Sequence, residues 1–332
     1  EAGLTLADFN REVGRAGQWL PLDPPGARAV TLGGVVATGA AGAQALGYGS
    51  PRSHVLGMRV ALAGGRQIRA GGRVVKNVAG YDLCKLFTGS HGTLGVILEI
   101  TFRLRPRPRR EATLVARAGD PRSLLEAARA LAGSQLLPVA VELLSPALAG
   151  EVLTVEDGGS ADGNFVMLAR FAGTGGAVEY QLTRAAELVE GLTKEGTARH
   201  VEDDDGLWAR LSSSSPSDGG SLVWRASVLP TALGALLARL GDDYGRGLRW
   251  HAGAGDGRLR VFDDARDHDG AVAALRGMRE AARGAGGSLV VERAPRGLKR
   301  ELGAWGLSES SALLMRRLKE QLDPSGTFAR SF

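Results

Sequence analysis

Two stretches in which glycine and alanine displace larger side chains constrain this chain more than any other feature. The first is Thr31-Leu32-Gly33-Gly34-Val35-Val36-Ala37-Thr38-Gly39-Ala40-Ala41-Gly42, continuing to Gly47-Tyr48-Gly49-Ser50. The second, Gly89-Ser90-His91-Gly92-Thr93-Leu94-Gly95, follows polar and ionisable residues that include Lys76, Asn77, Tyr81, Asp82 and Lys85. It leads into the apolar, β-branched run Val96-Ile97-Leu98-Glu99-Ile100-Thr101-Phe102. Glycines this close together let the backbone approach a ligand and present its own N–H groups, which suits a phosphate or a flat ring system. On its glycines alone, the second stretch fits a plain chain reversal equally well. The first is too poor in serine and charge for a flexible linker, and almost none of its side chains could build a core. It therefore reads as backbone packed around something that is not protein.

Composition sets the outer limits. With 332 residues and 44% apolar content the chain has room for two domains and an ordinary core. No apolar run approaches the roughly 18–20 residues that a membrane span needs, and no signal-peptide pattern opens the sequence. A single cysteine, Cys84, can form no internal disulfide and can hold no iron–sulfur cluster, so a reduced core thiol in a cytoplasmic protein is expected. The net charge is only +5, and the one dense basic run, Arg103-Leu104-Arg105-Pro106-Arg107-Pro108-Arg109-Arg110, carries no aromatic residues for base stacking. Nucleic acid is not expected as a partner.

Taken in order, residues 4–13 read as a short helix capped near Thr5, and the prolines of 18–25 impose an extended segment. Residues 55–70 and 96–105 alternate in strand fashion around a turn at Gly64-Gly65, with a short helix at 81–88. Beyond the Pro-Arg run, a strand at 112–116 leads to a helix at 121–132, with Asp120 as its cap and Pro121 in its first position. Strands near 138–144 and 164–171, a helix from about 175 to 191 and a final helix at 309–322 follow. Residues 212–221 read as a mobile loop and Asp203-Asp204-Asp205 as a solvated turn. The predicted fold class is α+β, in which a glycine-rich first domain (1–108) precedes a cap built on an antiparallel sheet (109–308). The last segment, 309–332, returns to the first domain.

Leu32–Gly39, Tyr48-Gly49-Ser50-Pro51-Arg52, Val55-Leu56-Gly57 and the whole of 73–97 together resemble the FAD-linked oxidases of the vanillyl-alcohol oxidase/PCMH type. The run Val74-Val75-Lys76-Asn77-Val78-Ala79-Gly80-Tyr81-Asp82-Leu83 is similar to the FAD-binding E subunit of bacterial glycolate oxidase, as are Leu222–Pro230 and Leu318–Gly326. The resemblance implies FAD as cofactor, held by Gly33, Gly34, Ala37, Thr38, Gly42, Tyr48, Gly49, Ser50, Lys76, Asn77, Gly89, Gly92, Gly95, Val96 and Ile97. In that family an N-terminal subdomain grips the FAD pyrophosphate, and this sequence starts after that loop would have ended. The expectation is a fragment, or a chain whose flavin binding is weakened or lost. His91 replaces the family's glutamate, and the tail Ala329-Arg330-Ser331-Phe332 replaces its usual Asn-Pro-Gly-Arg.

Two residues are candidates for chemistry. Arg225 sits in the strand-like Leu222-Val223-Trp224-Arg225, where a charge needs a partner. It reads either as half of a structural ion pair or as the clamp for a substrate carboxylate that the resemblance implies. His251, in Trp250-His251-Ala252-Gly253-Ala254-Gly255-Asp256-Gly257, resembles the histidine of the glycolate oxidase D-type subunits. There a second histidine helps to bind a metal; here Arg258-Leu259-Arg260 stands instead, so no metal is expected. His251 reads as a general base near the flavin or as a loop histidine without catalytic duty. The implied function is oxidation of a 2-hydroxy acid, glycolate to glyoxylate, within a complex. A homologous flavin subunit and an iron–sulfur subunit would be its partners, bringing it to the inner face of the plasma membrane. The alternative is an assembly subunit of the same complex without turnover of its own.

Overall fold

The computed structural model describes residues 1–26, 29–72, 81–157, 163–193, 197–202, 205–214, 222–245, 247–263 and 267–329. Lys76 and Asn77 lie outside the described residues, as does most of the loop expected at 212–221. The chain forms two compact units, Glu1–Arg107 with Ser308–Phe332, and Pro108–Leu307.

The first unit opens with helix α1 (Leu6–Gly14), which begins where the Thr5 hydroxyl accepts the Asp8 N–H at 3.1 Å. Strand β1 (Gln18–Trp19) follows. The glycine-rich stretch that the sequence left without a core role is helical: α2 (Leu32–Thr38) is capped by Thr31 and buries Leu32, Val35 and Val36. Three apolar side chains at i, i+3 and i+4 suffice to seat one face of so short a helix. Gly39 ends it in the left-handed conformation at φ 64°, a position that favours glycine. Short helices α3 (Ala45–Tyr48) and α4 (Pro51–His54) lead to β2 (Val55–Ala61) and β3 (Gln67–Gly71), joined through Gly64-Gly65. Helix α5 (Leu83–Phe87) packs on β2 and β3, and β4 (Val96–Phe102) completes an antiparallel sheet in the order β3-β2-β4. Strand β5 (Arg105–Pro106) pairs back with β1. The core gathers Val36, Met58, Val60, Leu62, Cys84, Phe87 and Leu94.

The second unit is an eight-stranded sheet with helices packed on it. In chain order it contains β6 (Arg110–Ala118), α6 (Pro121–Ala132), β7 (Ala140–Leu144), α7 (Pro146–Val152), β8 (Phe165–Gly173) and α8 (Gly175–Thr193). Strand β9 (Thr197–Glu202), α9 (Asp205–Ser213), β10 (Leu222–Ser227), α10 (Leu233–Tyr244), β11 (Arg249–Gly253) and β12 (Arg258–Asp263) come next. Helix α11 (His268–Gly284), β13 (Ser288–Arg293) and α12 (Arg296–Leu302) end it. The strand order is β13-β10-β12-β11-β7-β8-β6-β9, with every pairing antiparallel. Strict alternation gives the sheet two unlike faces. Trp224, Val261 and Trp250 pair across three strands as a buried apolar row, and Arg225, Arg260 and His251 form the neighbouring row on the opposite face. Helix α13 (Glu309–Leu322) then belongs to the first unit, where Leu318 and Leu322 pack against the core around Phe87. Among the described residues no helix is long and apolar enough to cross a membrane.

Phe87 is 1% exposed at the centre of the first unit's core. Phe87→Ala is expected to destabilise that unit by about 3–5 kcal/mol, the usual cost of emptying a buried aromatic site. Urea unfolding followed by tryptophan fluorescence measures it.

Candidate functional site

In the first unit the two glycine stretches meet. Gly89 N–H donates to Val36 O at 3.0 Å and His91 N–H to Ala37 O at 2.7 Å, so the second stretch is hydrogen-bonded to the end of α2. Gly39 and Gly89 touch: a Cβ on Gly39 would lie 3.4 Å from the Gly89 Cα. The glycines then divide by what stands beside them. At Gly33 an added Cβ would meet Ala2 at 2.9 Å, at Gly95 it would meet Val60 at 2.7 Å, and at Gly42 it would strike the Asp23 carbonyl. At Gly49 it would strike the Ser53 hydroxyl. Those four make room for the chain itself. Gly89 and Gly92, at φ 84° and 71°, face open space, and His91 between them holds φ 52°, a conformation that strains a side chain-bearing residue.

The remaining residues expected at the cofactor are placed as follows. Gly34 is exposed on α2, and the Thr38 hydroxyl donates back to Gly34 O at 2.7 Å. The Tyr48 ring packs edge-on against Trp19 with the Arg105 guanidinium over it, and exposed Ser50 precedes α4. Val96 and Ile97 open β4, with Val96 51% exposed. Nearby polar atoms wait for partners, since Ser90 Oγ and Gln44 Oε1 are buried without one. Open glycine backbone, orphaned acceptors and a half-exposed apolar strand start fit a flat polar group such as a flavin nucleotide.

The second unit carries the candidate chemistry. His251 is a buried residue in the centre of β11, which corrects its reading as a loop residue. Its Nδ1 lies 2.8 Å from Oε2 of Glu142, a carboxylate with no exposure, and Arg258 Nη2 reaches Oε1 of the same group at 2.7 Å. Asp256 Oδ2 faces the same Arg258 Nη2 at 3.1 Å. Burial favours the neutral form of Glu142, but Arg258 and the His251 hydrogen bond outweigh it and hold its carboxyl below the usual range. A carboxylate can only accept, so Nδ1 carries the proton and Nε2 of the neutral ring presents its lone pair. Nε2 is buried and unpartnered.

Arg225 is in the same row. His251 pairs with Arg260, and Arg260 with Arg225, so two strand spacings, about 10 Å, separate their backbones. Arg225 Nε meets Glu292 Oε1 at 3.2 Å and Arg260 Nε meets Oε2 at 2.9 Å, while Arg225 Nη1 donates to the Ser227 hydroxyl at 3.0 Å. The ion pair weighed at Arg225 is therefore present, and it is shared. Burial pushes Glu292 up, and the two guanidiniums, Arg260 more than Arg225, more than offset this. Glu292 lies on that face by plain alternation, two residues on from Val290, the partner of Arg225, and a bulge falls at it: Val291 pairs with Trp224 and Arg293 with Val223, leaving Glu292 as the extra residue. The sequence reading missed Glu142, Arg258 and Glu292. A legible signal existed for the first, a lone charge inside Val139-Ala140-Val141-Glu142-Leu143-Leu144.

Helices packed on a large antiparallel sheet, and a separate smaller unit in which glycine backbone faces open space, define an α+β protein suited to a cofactor. The family profile described as FAD linked oxidases, C-terminal domain, matches residues 107–331, more than half of the chain. The profile described as FAD binding domain matches residues 1–71. The chain belongs to the FAD-linked oxidases, and FAD is its cofactor. It is 33% identical over 207 residues to glycolate oxidase subunit GlcD of Bacillus subtilis, covering 61% of this chain and 42% of that protein. It is 42% identical over 140 residues to glycolate oxidase subunit GlcE of Escherichia coli, covering 42% of this chain and 39% of the relative. A D-lactate dehydrogenase of Archaeoglobus fulgidus is 45% identical over 108 residues, 32% of this chain and 24% of that one. The matches thus span less than half the length of each relative. An alkyldihydroxyacetonephosphate synthase structure shares the fold, with a TM-score of 0.69 at 17% identity over 99% of this chain and 63% of the other.

Glu142 also makes a pH-dependent contribution to stability. Its folded pKa is lowered, so on acidification the unfolded chain binds the proton first. The contribution is complete above the unfolded value, about 4.3, and is lost as pH falls through the lower folded value. Glu142→Gln is expected to cost on the order of 2–4 kcal/mol at neutral pH, because Arg258 and His251 lose a buried, charged partner. Denaturant unfolding at pH 7 and pH 3 checks this, with the gap between variant and parent narrowing at the lower pH.

Proposed function

We propose that this chain is the FAD-binding subunit, or the larger part of one, of a glycolate oxidase-type complex that oxidises a small 2-hydroxy acid. The observation that carries the reading is His251 Nε2, an unpartnered lone pair in the same cross-strand row as the paired guanidiniums of Arg225 and Arg260. When bound, FAD supplies the acceptor for the hydrogen and electron pair that leave the hydroxyl-bearing carbon. The protein's share is binding and proton handling. Glu142 fixes the His251 tautomer through Nδ1, so the hydroxyl proton has one acceptor, Nε2. Arg225 and Arg260 together carry one more positive charge than Glu292 neutralises, and their unoccupied N–H edges suit a carboxylate.

The likeness to subunits D and E of glycolate oxidase supports assembly with a homologous flavin subunit, and an iron–sulfur subunit is proposed as the electron acceptor beyond it. Both belong to a cytoplasmic complex that reaches the inner membrane face through its partners. Glycolate is the proposed substrate.

The purified protein is expected to be yellow, with an absorbance band near about 450 nm that glycolate bleaches under anaerobic conditions. His251→Asn should slow the bleaching about 10²–10⁴-fold, the usual worth of a positioned general base. Arg225→Ala should raise KM for the acid far more than it lowers kcat. Colour that survives glycolate would instead identify a flavin-carrying assembly subunit, and an unchanged KM would retire the carboxylate role of Arg225.

A further inference from the structure

The turn that carries Gly89 and Gly92 is made of residues with little stiffness of their own, and its conformation is imposed from outside. On one side α2 accepts the N–H groups of Gly89 and His91. On the other, the carbonyl of Thr93 is held by a residue more than two hundred positions away. Lys319 Nζ donates to Thr93 O at 2.8 Å, to Asp323 Oδ2 at 2.5 Å and to Phe328 O at 3.1 Å. An ammonium has three protons, and here each has an acceptor. Asp323, 3% exposed, also accepts Thr327 N–H and Phe328 N–H, each at 2.8 Å, which folds the tail over the lysine. Burial opposes its ionisation, but Lys319 and the two N–H groups hold its pKa at about 2. The Lys319 side chain is 12% exposed, unlike a surface lysine in a screened ion pair.

We propose that Lys319 is a positioning residue for FAD: clasped by Asp323, it clamps the Thr93 carbonyl and so holds the open backbone of Gly89–Gly92 in the form the cofactor meets. The proposal rests on the crevice being the FAD site. A lysine needed only to close the helix could spend its protons on its own tail. This one spends a proton on the turn, and Thr93 in turn closes the loop through its N–H and hydroxyl, both donated to Ser90 O at 3.0 and 2.7 Å.

The test compares the full chain with Lys319→Met by hydrogen exchange and by FAD titration. Exchange in the peptide covering 88–95 should accelerate about tenfold, while α6 in the second unit stays protected, and the FAD Kd should rise about tenfold, as expected for loss of one charged, buried hydrogen bond. Asp323→Asn, which keeps the shape of the tail, should move both readouts the same way by less, and serves if Lys319→Met does not fold. Arg316→Ala, on the same helix, should move neither. Unchanged exchange at 88–95 overturns the clamp. Faster exchange with unchanged Kd overturns the positioning role and leaves a structural tie. A parent chain that exchanges as expected but takes up no FAD sinks the crevice reading, and the inference with it.

Discussion

Two backbone hydrogen bonds, Gly89 N–H to Val36 O and His91 N–H to Ala37 O, hold together the two glycine stretches proposed to meet the cofactor. Neither donor nor acceptor belongs to a side chain, so the junction places few demands on residue chemistry and strong ones on residue size. Helix α2 must end early enough to leave carbonyls free, which Gly39 arranges. The turn comes within contact distance of that end, and the backbone holds φ 64° at Gly39 and 84° at Gly89, which favours residues without a side chain. Small residues recur here because two lengths of main chain approach each other and leave an open face alongside.

The second unit solves a different problem, carrying ionised groups through a packed sheet. Period-two alternation sends tryptophan, valine and leucine to one face, leaving arginine, histidine and glutamate on the other. The charges there are answered by opposite ones: buried Glu142 by Arg258 and His251, and the more exposed Glu292 by Arg260 and Arg225. Ionised pairs in such places cost more in lost hydration than an apolar core would, so their presence points to chemistry more than to stability.

Much of this architecture was legible in the sequence. Helix α6 begins at Pro121 behind its Asp120 cap, and α13 spans 309–322, because caps, proline and periodicity are local signals. Helix α2 was not legible, since two glycines and a threonine in seven residues argue against a helix, and what stabilises it is the core beneath Leu32, Val35 and Val36. The site was half readable. Arg225 announced itself as a charge in apolar surroundings and His251 through the resemblance of its loop, but their common row is set by strand pairing between distant segments. Glu142, 109 residues before His251, is linked to it by that pairing alone. Which glycines face open space and which merely accommodate Asp23, Ser53 or Val60 also depends on contacts no local pattern encodes.

The bulge at Glu292 has a consequence for how this protein can vary. Because β13 lies at the sheet's edge and carries one residue more than its partner needs, the ladder slips at Glu292, after the pairing of Val290 with Arg225 has set its face. A residue lost beyond Glu292 restores the plain pleat and leaves the carboxylate opposite Val223 on the arginine face, whereas one lost between Val290 and Glu292 turns it to the other face. In lineages that keep the paired arginines, the spacing from Val290 to Glu292 should drift less than the strand beyond it.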